Sequence, residues 1–125
     1  MYLPFDGLSH VSYSLQVNTE NTITDGDGLL AALAALANPH RLRIIAMLVA
    51  GGRNYVSQLA REIGISRPLL HLHLQKLEDA GLVTSKLELS HDGKALKYFD
   101  VAPFALELTP AAITAATATL TPHSD

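Results

Sequence analysis

Apolar and polar positions alternate along the chain with periods that divide it into short elements, most of them helical. Between Val56 and Leu82, apolar residues Leu59, Ile63, Leu70, Leu74 and Leu77 recur three, four or seven apart. That spacing lays an apolar stripe along one side of each of two helices. Gly64 can take the left-handed conformation that stops the first. Ser66 suits the N-cap of the second, which spans about 66–80. Arg67 and Pro68 fill its first turn, where the missing N–H of proline leaves nothing unpaired.

The same reading extends in both directions. Leu29 to Ala37 is apolar all round, which predicts a helix buried on more than one side. A small domain does that most readily across a dimer interface, with Leu29, Leu30, Leu33 and Leu36 as the contacts. Asn38 and Pro39 restart the chain as a second helix, His40 to Ala50. It directs Leu42, Ile45, Ala46, Leu48 and Val49 inward and leaves Arg41 and Arg43 more exposed. After Gly81, Val83, Ser85, Leu87 and Leu89 alternate with polar neighbours, and His91 to Lys94 form a turn. Leu96, Tyr98 and Val101 lie on the return strand, with a slip of phase near Asp100. This two-stranded hairpin, about 84–101, is a wing.

Residues 1–28 read as an N-terminal arm, in which Val11, Tyr13, Leu15 and Val17 alternate as a half-buried strand or belong to a loose tail. Phe104, Leu106 and Leu108 suggest a further strand that pairs with 11–17. Thr109 and Pro110 cap a last helix, Ala111 to Leu120, whose small residues suit close packing against a partner. The fold class expected is α+β, mainly α: a winged helix-turn-helix with an arm at 1–28 and a DNA-binding and dimerisation domain at 29–125.

Composition changes this picture in two places. There is no cysteine, which excludes disulfides and cysteine-ligated metal. The net charge of −3 argues weakly against nucleic acid, but its distribution argues for it. All nine Lys and Arg lie between Arg41 and Lys97, with five acids among them, a local charge of +4. The ends carry the other seven acids. The longest apolar run, Leu29 to Ala37, is far short of the roughly 20 residues of a membrane span. The opening residues lack a signal peptide's pattern. A cytoplasmic chain with no membrane partner is expected.

On a helical wheel the second motif helix has a core side (Leu69, Leu70, His73, Leu74, Leu77) and an outer side (Arg67, Pro68, His71, Leu72, Gln75, Asp79), with Lys76 on the flank. Arg67 can pair with guanine and Gln75 with adenine, and His71 can donate or accept. Leu72 either meets a thymine methyl or is an ordinary surface residue. Lys76, Lys86, Lys94 and Lys97, with His91 at the wing tip, either touch phosphate or are plain solvated charges. His71 and His73 point about 200° apart and cannot share one ion. His10 and His123 are freer: they are either solvated surface histidines, the better-supported reading, or, with Asp6 or Asp125 across a dimer, nitrogen and oxygen donors suited to nickel or zinc.

The string LAALANPHRLRIIAMLVAGG, then VSQLAREIGISRPLLHLHLQKLEDAGLV and a charged hairpin, resembles the ArsR/SmtB family of winged-helix transcriptional regulators over about Leu29 to Val101. Ser66, His73-Leu74, Leu77 and Ala80-Gly81-Leu82-Val83 are its most specific part. The resemblance implies a homodimer joined through its first and last helices, which adds Ile113 and Leu120 to the interface. It also implies recognition helices in adjacent major grooves of double-stranded operator DNA, and Ser66 and Pro68, which open the second motif helix, join the DNA-binding candidates. Many members release DNA on binding a metal ion, yet the last helix here offers only Ala, Ile, Leu and Thr. No nucleophile motif, phosphate loop or metal triad points to an enzyme. The alternative is a winged-helix protein-interaction module without metal sensing.

Overall fold

The computed structural model describes residues 21–122. The proposed strand at 11–17 and the candidate ligands His10 and His123 lie outside them. The elements run β1 (Thr22–Ile23), α1 (Gly26–Leu36), α2 (Pro39–Gly51), β2 (Asn54–Tyr55), α3 (Val56–Ile63), α4 (Arg67–Asp79), β3 (Val83–Leu89), β4 (Ala95–Val101), β5 (Ala105–Leu106) and α5 (Pro110–Thr117). The chain divides into two compact units: Leu30–Ala102, and a second whose described residues are 21–29 and 103–122. The division falls inside α1.

In the larger unit the caps follow the local chemistry. The Asn38 side chain accepts from the backbone N–H groups of His40 and Arg41 at 2.8 and 3.2 Å and starts α2. The buried line of α2 is Ile44 and Leu48, four residues apart. Leu42 and Val49 are 54% and 65% exposed, contrary to the inward placement expected from sequence. Leu42 stands about 200° from Ile44 and Val49 about 100° from Leu48 around the helix, so neither shares the buried line. Arg41 is half-buried rather than exposed. The rest of the core comes from Leu59 and Ala60 of α3, Leu70, Leu74 and Leu77 of α4, and Leu82, Val83 and Phe99.

The hairpin joins a three-stranded antiparallel sheet in the order β2-β4-β3. Val83 pairs with Val101, Ser85 with Phe99 and Leu87 with Lys97. These six therefore share one face. Phe99, 1% exposed, fills the core, and Tyr98 does not, which corrects the phase read from the sequence. The cause is the turn: Gly93 N–H donates to Ser90 O and Ser90 N–H to Lys94 O, with Gly93 at a φ of 81°, and this turn sets the register. Burial on β3 ends at Ser85, so Leu87 and Leu89 are 67% and 77% exposed.

In the second unit β1 and β5 pair in parallel, Thr22 with Ala105 and Ile23 with Leu106. The strand expected near 104–108 is thus present but short, and its observed partner is 22–23. Thr109 caps α5, its Oγ1 accepting from Ala112 N–H at 3.0 Å. Gly26 N–H donates to Thr119 Oγ1 at 2.7 Å, and Thr121 N–H to Asp27 Oδ1 at 3.0 Å. Here Gly26 permits a close approach: a Cβ on it would lie 2.4 Å from Ala116 O and 2.7 Å from Leu120 Cγ. Gly26→Ala is expected to destabilise by about 1–3 kcal/mol through overpacking, read as a lower urea midpoint. Gly51→Ala, whose added methyl meets nothing within 4 Å, is the control and should be neutral or slightly stabilising.

Candidate nucleic-acid interface

Helix α3 ends at Gly64, whose φ of 84° and ψ of 35° are left-handed. Gly64 and Ile65 N–H groups both donate to Ala60 O, at 2.8 and 3.2 Å, which closes the helix and turns the chain. Ser66 then caps α4, its Oγ accepting from Leu69 N–H at 3.3 Å. The turn fixes the rotation of α4. Leu70, His73, Leu74 and Leu77 are buried, and Arg67, Pro68, His71, Leu72, Gln75, Lys76 and Asp79 are exposed. Leu69, placed on the core side from sequence, is 40% exposed. It lies about 100° from Leu70 in the first turn, off the buried line.

The exposed face has internal structure. Gln75 Nε2 donates to Asp79 Oδ1 at 2.8 Å, one turn on, which orients the amide and leaves its oxygen free. Leu72 is 65% exposed among these polar groups. On α3, Gln58 Nε2 donates to Glu62 at 2.8 Å while its oxygen accepts from Arg61.

The wing is anchored to α4 by Ser85 Oγ, which donates to Glu78 Oε2 at 2.6 Å. Lys86 opposes Tyr98 and Lys97 opposes Leu87, so these two lysines face opposite sides of the hairpin. Lys97 Nζ lies 5.5 Å from the centre of the Phe99 ring. Lys94 and His91 are exposed at the tip. Arg53, which no local pattern marks, sits at the wing base. It bonds Glu88 at 2.5 Å and covers the Tyr98 ring at 4.5 Å, beside a cleft lined by Thr84, Lys86 and Asp100. The Arg53 hydrogen bond holds the Glu88 carboxyl below its ordinary range.

Of the residues expected at a dimer seam, Leu29 is 8% exposed and spent within its own chain. Leu30, Leu33, Ile113 and Leu120 are 61%, 37%, 46% and 39% exposed, and Leu36 is half-buried. Among the described residues no group of three or more His, Asp or Glu could hold a metal ion, and α5 carries no donor side chain beyond threonine hydroxyls. No single helix among them is long and apolar enough to cross a membrane.

Residues 36–86 match the family described as "Helix-turn-helix domain". Over 55 residues the chain is 47% identical to an uncharacterised HTH-type transcriptional regulator of Methanocaldococcus jannaschii, a match covering 44% of this chain and 57% of that one. Over 64 residues it is 36% identical to a "Probable mercury resistance operon repressor" of Streptomyces lividans, covering 51% and 47%. The chain spans about half the length of these curated relatives. A solution structure from Mycobacterium bovis, a homodimeric winged helix-turn-helix DNA-binding domain of a "possible ArsR-family transcriptional regulator", matches with a TM-score of 0.53 and 28% identity, over 60% of this chain and 64% of that one. These relatives are named as regulators or repressors, none as an enzyme. With the turn, α4 and the hairpin all in place, the chain carries a helix-turn-helix domain, and its winged fold is similar to that of a possible ArsR-family transcriptional regulator.

Proposed function

We propose that this protein is a cytoplasmic, sequence-specific DNA-binding transcriptional regulator that acts as a homodimer. One observation carries the reading: the side of α4 turned away from the core bears Arg67, His71, Gln75 and Lys76, all exposed, on a capped and well-buried helix. In this reading α4 lies in the major groove of operator DNA. Arg67, His71, Leu72 and Gln75 meet base edges, and Ser66, Pro68 and Lys76 run along the groove wall. Lys86, His91, Lys94 and Lys97 serve flanking phosphates, Lys86 and Lys97 from opposite faces of the wing. Leu30 and Leu33 in the larger unit, and Ile113 and Leu120 in the other, leave exposed apolar side chains that a second copy would cover; the Mycobacterium bovis relative is named as homodimeric. Control by nickel or zinc through His10 and His123 gains no support from the described residues and is not part of the proposal.

Salt titration of binding to a genomic fragment selected by the protein tests this. With the four wing and helix lysines of each protomer on phosphate, log K should fall against log salt with a slope of about −7. A slope near zero would overturn the proposal and favour a protein-interaction module.

A further inference from the structure

The reading helix is tied to its unit by a polar contact that spans three elements. Arg41, in the first turn of α2, sends its guanidinium two ways. Its Nε donates to Ala35 O in the last turn of α1 at 2.5 Å. Its Nη1 lies 3.1 Å from Nδ1 of His73, midway along α4. His73 is 7% exposed. The His40 ring stands beside it, centroids 5.4 Å apart, and the buried Nδ1 of His40 has no hydrogen-bond partner among the described residues.

An arginine stays charged and only donates, so Nδ1 of His73 must accept. His73 in this contact is therefore neutral, with its proton on Nε2. A proton on Nδ1 would set one donor against another and one cation against another. We propose that Arg41 and His73 together position α4, and that protonation of His73 breaks the contact and loosens the reading helix. The positioning itself stands on the geometry alone; its consequence for DNA rests on the function proposed above.

The surroundings set the sign. Burial, Arg41 and then His40 all push the His73 pKa below its ordinary value of 6.5. Arg41 and His40 both come from α2, and no carboxylate from α3 or the hairpin offsets them. His40 and Arg41 also sit at a helix N-terminus, where added positive charge is unfavourable. The unfolded chain thus takes up the proton more readily than the folded one. This contribution to stability is complete above about pH 6.5 and is lost as pH falls below it toward the lowered value.

Urea midpoints of the full chain from about pH 8 down to about pH 5 provide the test, for wild type, His73→Gln and the exposed control His71→Gln. Glutamine can still accept from Arg41 but does not titrate. Wild type and His71→Gln should lose stability below about pH 6.5, and His73→Gln should lose clearly less. Acidification across the same range should cost wild type more affinity for the selected DNA fragment than it costs His73→Gln, since the exposed His71 and His91 are common to both. An NMR titration of the wild-type His73 ring gives a reading even if His73→Gln does not fold, and it should show a midpoint below 6.5. An equal pH slope in His73→Gln and wild type, or a His73 midpoint at or above 6.5, would overturn the inference. A pH-dependent midpoint that vanishes in His73→Gln, in a protein that binds no DNA at any pH, would sink the DNA reading and leave the positioning contact supported.

Discussion

Replacing Arg67 and Gln75 together by alanine is expected to lower affinity for the selected DNA fragment by thirty-fold or more, while binding to scrambled DNA changes little. Each good base contact contributes about 1–3 kcal/mol of discrimination, and the two residues lie on the exposed part of α4, a little over two turns apart and about 80° apart around its axis. Both side chains are exposed, so folding stability should stay within about 0.5 kcal/mol of wild type. Fluorescence anisotropy on both DNAs, beside urea unfolding of the variant, measures the two quantities separately. Unchanged affinity for the selected fragment would remove α4 from the reading role.

Phe99→Ala should be the most damaging single change to the fold, at about 3–5 kcal/mol. The ring is 1% exposed and lies on β4, the central strand of the three-stranded sheet. Total stability of a domain this size is about 5–15 kcal/mol, so the variant should keep a small fraction of it. The contrast is Leu87→Ala, at a position 67% exposed on the same face of the hairpin, which should shift the urea midpoint hardly at all. Comparable losses at the two sites would mean that the hairpin register differs from the pairing of Ser85 with Phe99.

The helices were legible because their signals are local. Gly64, Ser66 and Pro68 mark the turn within five residues, and the spacing of Leu70, Leu74 and Leu77 fixes the buried side of α4. The outward face followed from the same wheel. What failed depended on neighbours distant in sequence. Leu42 and Val49 are as apolar as Leu48, and only the packing of α2 on α3, α4 and β4 decides which of them is covered. On β4, Tyr98 and Phe99 are equally good strand residues, and the turn at Ser90 to Lys94 chose between them. The parallel pairing of β1 with β5 and the Arg41–His73 contact join residues far apart in the chain. Arg41 looked like a surface charge because nothing beside it in sequence names its partners.

The two residues of β2 have a consequence for how the molecule folds. The β3–β4 hairpin can form on its own, since its strands are joined by a short turn. The pairing of Asn54 with Phe99 and Tyr55 with Tyr98 is different, because it closes a loop that contains all of α3, α4 and β3. The entropy of that closure grows only slowly with length but must be met before the contact rewards it. The full sheet is therefore a late event, completed once the helices have collapsed onto Phe99. In hydrogen exchange, the amides that β4 shares with β2 should open together with the core of α4, so that the hairpin base and α4 behave as one cooperative unit.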